Sequence, residues 1–297
     1  MEAGLLREAP RAEQQKCSEY TLLTGRRFRR GTESLHAVGR YERRLPIFSF
    51  SNSTKELSDA RLDTAILSVG ATEQCGPHLP LHLDTLVAEY YAQAYGDALG
   101  AYVTPTLPFN TSEEHTSFTG TISLGPGTVM LVLGEIIAGL RAQGFRKQVL
   151  ASGHGGAYWV GPFIKEINAR YADIIVIPAH HGGDAIWREE VERAGLGGRG
   201  EIHGGALSRA VALYLAPGSV TDGDYGVAVP EDMEAYMDYC TWDRFTPDGS
   251  WGRYTSADAA VATAEAGRQL LTSFVRRQGE HLKKHLEEAC RIKGLTS

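Results

Sequence analysis

Between positions 68 and 85 the chain reads SVGATEQCGPHLPLHLDT, which places Glu73, Cys75, His78, His82 and Asp84 within twelve residues. Carboxylate, thiol and imidazole are the side-chain donors that hold transition-metal ions, and the interleaved glycine and prolines let the backbone bend closely around one. His154 stands in a second such stretch, SGHGGAY, and His180 and His181 follow DIIVIPA. Glu73, Asp84 and His154 together make two carboxylates and one imidazole. That set suits Zn²⁺, Fe²⁺ or Mn²⁺ and leaves positions for water and substrate, in the manner of a catalytic site. A closed structural zinc would take four Cys or His ligands, and no such quartet is spaced for it.

The elements around these residues alternate between short apolar runs and stretches of helical period, the pattern of strand–helix–strand units on a parallel sheet. TAILSVG (64–70), AYVTPTLPF (101–109), KQVLASG (147–153) and DIIVIPA (173–179) read as strands or extended runs. Helices are expected over 83–100, 127–144 and 158–172, and over 256–290 as one long helix or a pair, with Gly100 and Gly144 as stops, while 203–215 reads as a loop opening a helix. In parallel sheets ligands gather beyond the carboxyl ends of the strands. Glu73, His154 and His180/His181 each follow such an end. Residues 217–255, rich in Gly, Asp, Pro and aromatics, read as a functional loop region and not as a separate domain.

Composition narrows the class of protein. The chain of 297 residues is 42% hydrophobic and 22% charged with a net charge of −6, which gives no basic excess for a nucleic-acid partner. Residues 1–50 carry ten Lys/Arg against six Asp/Glu and read as a basic N-terminal extension or arm, with 51–297 as a single domain. GRRFRR (25–30) is not followed by the apolar run of an export signal, and no run approaches the length of a membrane span. The four cysteines (Cys17, Cys75, Cys240, Cys290) form no CxxC pair, so a reduced, cytoplasmic setting is expected.

The motif GATEQCGPHLPLHLD resembles the creatininase (creatinine amidohydrolase) family pattern G-S-x-E-Q-H-G-P-H-L-P-L-x-T-D. EEHTSFTGTISL (113–124), SGHGGA (152–157), EIHGGALS (201–208) and GRYTSADAAVATAEAGRQLL (252–271) resemble the family's later landmarks, in order. The resemblance covers roughly residues 60–275. It implies a three-layer α/β/α sandwich with a mostly parallel central sheet, a homo-oligomer (often a hexamer), and a mono- or dinuclear metal site that hydrolyses an amide-type C–N bond. By the same resemblance Glu73, Asp84 and His154 match the ligands of one metal, Asp84 can bridge to a second, and His203 matches a histidine that assists proton transfer. Glu114 and His115 sit in a matching motif that borders the pocket.

The sequence also departs from that pattern. Cys75 stands where the family has a metal-binding histidine, Ser208 where a glutamate is expected, and Gly156 where creatininase supplies another glutamate; Ser152 and Ala157 replace two asparagines. The second ion therefore loses its usual ligands. Cys75 is either a pocket residue or a thiolate ligand suited to Zn²⁺ or Fe²⁺. His78 and His82 are expected to orient the loop. His181 is placed to reach substrate, and Tyr158, Trp159 and Trp187 to wall an apolar or planar one, with Ser208 beside them.

The expectation is a metal-dependent hydrolase, an amidohydrolase acting on a small amide, lactam or formamide in a specialised biosynthetic pathway. It is expected to use one Zn or Fe ion, with Mn as an alternative and a second ion open. Two other readings stand beside it: a metal-dependent lyase, cyclase or isomerase, and a non-catalytic subunit with a degenerate site. Its partner is a small molecule, with no nucleic acid and no membrane.

Overall fold

A computed structural model describes residues 48–180, 183–198, 201–225, 231–236, 239–251, 254–255 and 258–295. The expected basic arm lies outside the described residues except for positions 48–50. Strands β1 (Phe48–Ser49), β2 (Thr64–Val69), β3 (Tyr102–Val103), β4 (Lys147–Ser152) and β5 (Ile175–Pro178) form one parallel sheet in the order β1-β3-β2-β4-β5. Six residue pairs join β2 to β4, from Thr64 against Lys147 to Val69 against Ser152.

Helices α1 (Thr54–Ala60), α2 (Leu83–Leu99), α3 (Pro126–Ala142), α4 (Val160–Arg170), α5 (Gly183–Arg193), α6 (Ala206–Leu215), α7 (Glu231–Glu234) and α8 (Ala264–Lys293) complete the described elements. Alternation along the strands sorts the larger ones into two layers. Ala65, Leu67, Val69, Leu150 and Val176 face α3 and α4, where Val129, Leu133, Ile137 and Phe163 meet them. Ile66, Val149, Ile175 and Ile177 face the opposite way, into a core shared with α2, α5, α6 and α8. The result is the three-layer α/β/α sandwich.

Local chemistry sets the element ends. Gly100 takes a left-handed φ of 60° and stops α2, while Thr263 and Gly294 cap α8, which is a single helix. The run 101–109 keeps only two residues in the ladder, because Pro105 and Pro108 have no N–H to give it; Thr104 and Leu107 still donate to Ile66 and Ser68. Ser53 and Glu56 form a capping box that starts α1. Among the described residues no helix is long and apolar enough to cross a membrane.

The strand order also fixes where a crevice can open. The chain leaves β2 toward β3 on one side and leaves β4 toward β5 on the other, so the crossovers diverge between β2 and β4. Doubly wound sheets open their ligand crevice at such a switch point.

Candidate metal centre

Just beyond the last β2–β4 pair stand Gly70 and Gly153. A Cβ on Gly70 would lie 2.3 Å from Thr85 Cα, and one on Gly153 would lie 2.2 Å from the Asp84 carbonyl oxygen. Both strand exits therefore press against the first turn of α2, a contact that only glycine permits. The Thr85 hydroxyl fastens the same turn by donating to the Ala71 carbonyl at 2.9 Å. This packing brings Asp84, the loop after β2 and the loop after β4 to one point.

At that point Glu73, Asp84 and His154 form a set of mutually close donors. His154 Nδ1 lies 2.9 Å from Asp84 Oδ2 and 3.4 Å from Glu73 Oε1. Its other nitrogen, Nε2, donates to the Thr111 carbonyl at 2.6 Å. A carbonyl can only accept, so Nε2 carries hydrogen and the lone pair of the neutral ring sits on Nδ1, aimed at two carboxylates. A proton or a cation must stand between them. The Ser112 hydroxyl donates to Glu73 Oε2 at 2.7 Å and holds that carboxylate in place.

The electrostatics agree with the geometry. Burial disfavours the charge on His154, yet Glu73 and Asp84 hold it well above the ordinary imidazole value. Burial also opposes ionisation of Glu73, and the imidazoles of His154, His203 and His115 outweigh it and bring Glu73 down to about 2. Asp84 is raised by its burial and by Glu73. A divalent ion in place of the proton on Nδ1 would neutralise both carboxylates, so the donor chemistry fits such an ion.

Glu73 belongs to a second close set with His115 and His203. Here Gln74 already engages one nitrogen of each ring. Gln74 accepts the Gly76 N–H on Oε1 and donates from Nε2 to the Gly249 carbonyl and to His115 Nδ1, at 2.9 and 2.8 Å. His115 Nδ1 is thus an acceptor and Nε2 keeps its hydrogen, 3.7 Å from Glu73 Oε1. Burial, with the His203 charge beside it, pushes His115 down to about 3, so it stays neutral. His203 donates from Nε2 to the Gln74 carbonyl at 2.6 Å. Burial opposes its charge, but Cys75 and Glu73 bring it up to about 10. The set holds a neutral N–H donor and a cationic imidazole, which fits proton transfer better than ligation.

Cys75 is buried, lines the cavity and belongs to neither donor set. Glu114 is raised by burial, and its Oε1 lies 2.9 Å from where a Cβ on Gly156 would stand; that Cβ would also meet His154 Nε2 at 2.5 Å. Gly156 is therefore the residue that leaves room for the His154 ring. Ser208 lines the cavity with its hydroxyl committed to Glu201, which also accepts the N–H groups of Gly205, Leu207 and Ser208 at the start of α6.

Tyr158, 71% exposed, and Trp187 line the cavity, but Trp159 does not. Its indole packs against Phe163 in the α3–α4 core and donates to Asn110 Oδ1 at 3.0 Å, a correction to the expectation that it touches substrate. His78 stacks on Tyr225 away from the donor sets, and His82 precedes α2. His180 packs against Phe274 and Tyr91, while His181 lies outside the described residues. Sequence reasoning missed Thr111, Ser112, Gln74 and Glu201. Gln74, inside the matched E-Q motif, and Glu201, an acid just ahead of a helix start, left a readable signal.

A cavity of about 820 Å³ opens over these groups. Fold and site together define a doubly wound α/β protein with a carboxylate–imidazole centre, the equipment of a metal-dependent hydrolase. Residues 51–282 match the creatininase (creatinine amidohydrolase) family, and the chain belongs to it. It is 29% identical over 191 residues to the mycofactocin precursor peptide peptidase of Mycobacterium tuberculosis, covering 61% of this chain and 70% of that one. It is 29% identical over 169 residues to the creatinine amidohydrolase of Pseudomonas putida, covering 51% and 64%. A crystal structure of a creatinine amidohydrolase homologue from Bacteroides fragilis shares the fold with a TM-score of 0.64 and 24% identity, over 80% of this chain and 96% of that one.

Proposed function

We propose that the protein hydrolyses a C–N bond of an amide, lactam or formamide in a specialised pathway, with one divalent ion of the zinc, iron or manganese kind held by Glu73, Asp84 and His154. The observation that carries this reading is His154 Nδ1 at 2.9 and 3.4 Å from two carboxylate oxygens while Nε2 is committed to the Thr111 carbonyl. The relatives named for peptidase and amidohydrolase activity support a hydrolytic reaction on this fold. A bound divalent ion supplies Lewis acidity, lowering the pKa of water and polarising a carbonyl.

The chain's own groups do the rest. Thr111 and Ser112 fix His154 and Glu73, so the donors are set before an ion arrives. His115 offers a neutral Nε2–H to the oxygen that gains charge in the transition state. Glu114, raised by burial, takes up the proton that water gives away. His203, cationic beside Cys75 and Glu73, returns a proton to the departing nitrogen.

The test uses the metal-loaded protein, a panel of formamides, lactams and short peptides, and water enriched in heavy oxygen. Hydrolysis places one labelled oxygen in the new carboxylate. A turned-over substrate whose product carries no label would replace this reading with a lyase or cyclase reaction.

A further inference from the structure

The cavity lining is of two kinds: the donor sets with Glu113 and Glu114, and an apolar recess of Leu83, Val87, Tyr91, Leu207, Val211 and Leu271. These come from α2, α6 and α8, the layer whose side chains otherwise close into core. Val87 and Leu207 are partly exposed and Leu83, Tyr91 and Val211 only slightly so, which makes them the floor of the cavity, with the fully buried Leu271 packed behind it. Among the described residues the cavity wall carries no Lys or Arg.

We propose that this recess is a substrate subsite for an uncharged apolar arm, aliphatic or aromatic, attached to the amide that the donor sets face. The inference rests on the proposed hydrolase function and names the class of substrate that function leaves open. Leu83, Val87 and Tyr91 recur every four residues along α2, starting beside Asp84, so one face of that helix carries the apolar lining. Leu207 and Val211 repeat that spacing on α6. A cavity of about 820 Å³ is in the range of drug-sized ligands and far exceeds a lone lactam ring. No described Lys or Arg lines the cavity to pair with an anionic tail, and burying a carboxylate without a partner is costly.

Calorimetric titration of the full, metal-loaded chain with acetamide, octanamide and suberamic acid separates the possibilities. Octanamide has the arm, acetamide lacks it, and suberamic acid has the same arm ended by a carboxylate. Octanamide is expected to bind about tenfold or more tightly than acetamide, and suberamic acid no better than acetamide. Val87→Trp, which fills the recess one turn from Asp84, is expected to remove the octanamide advantage. Equal binding of octanamide and acetamide by the unmodified chain, or suberamic acid binding as well as octanamide, would overturn the subsite. Binding is read without turnover, so an octanamide preference in a protein that hydrolyses nothing would sink the hydrolase reading and keep the subsite.

Discussion

Glu73 faces two groups of neighbours that look alike in composition and differ in state. Toward Asp84 and His154 it meets a lone pair and a second carboxylate, with a carbonyl fixing the hydrogen on the far side of the ring. Toward His115 and His203 it meets rings with one nitrogen each engaged by Gln74, the first by its side chain and the second by its backbone carbonyl. Proximity alone makes both into candidate metal sites. The hydrogen-bond partners behind the rings tell them apart: one side needs a proton or a cation between its donors, and the other pairs a neutral N–H donor with a cationic ring.

The sharpest way to break this comparison is to remove one ring from each side. His154→Ala is expected to weaken zinc binding at least about a hundredfold, whereas His115→Ala lowers kcat and leaves zinc affinity within a few-fold. Equal losses of affinity in the two variants, measured by competition with a chelating dye, would erase the distinction.

A second effect concerns the packing that assembles the first side. Gly153→Ala pushes a methyl group into the Asp84 carbonyl at 2.2 Å, and is expected to cost about 2–4 kcal/mol in urea unfolding and to loosen zinc binding. Gly155→Ala, where a Cβ meets nothing within 4 Å, is the control and is expected to cost less than about 1 kcal/mol.

The pH dependence has a definite sign. His154 is raised in the folded protein, so in the absence of an ion its protonated form contributes stability fully below the ordinary value of about 6.5 and loses it as pH rises through the raised one. A cation must displace the same proton. Zinc affinity is therefore expected to climb with pH by up to about tenfold per unit while His154 deprotonates, as isothermal titration at several pH values would show; a flat profile would contradict the lone-pair assignment. The smallest expected change is Ser112→Ala, which frees one oxygen of Glu73 and should cost about 1–2 kcal/mol of zinc binding.

Much of the first side was legible in the chain itself. Glu73 and His154 come after buried apolar runs, Asp84 opens a helix of clear period, and carboxyl ends of parallel strands are where such residues collect. The second side was legible only as residue types. Gln74 reaches His115 across 41 positions and Gly249 across 175, and no local pattern announces a contact of that separation. The Thr111 carbonyl that sets the His154 tautomer is backbone, so residue identity carries no trace of it. Trp159 was misread because an aromatic beside a glycine-rich strand exit suits a pocket wall and a core equally, and the turn of α4 into the α3 layer decides which. The apolar recess was hidden for a related reason: the spacing of Leu83, Val87 and Tyr91 is that of any buried helix face.

The most direct test of the central claim is the metal content of the full chain after chelation and reloading with zinc, counted by elemental analysis alongside calorimetric proton release. One tight ion per chain, about one proton released on binding, and loss of that ion in His154→Ala but not in His115→Ala or His203→Ala is the predicted result. Two ions of equal affinity, or an ion that survives His154→Ala, would contradict it.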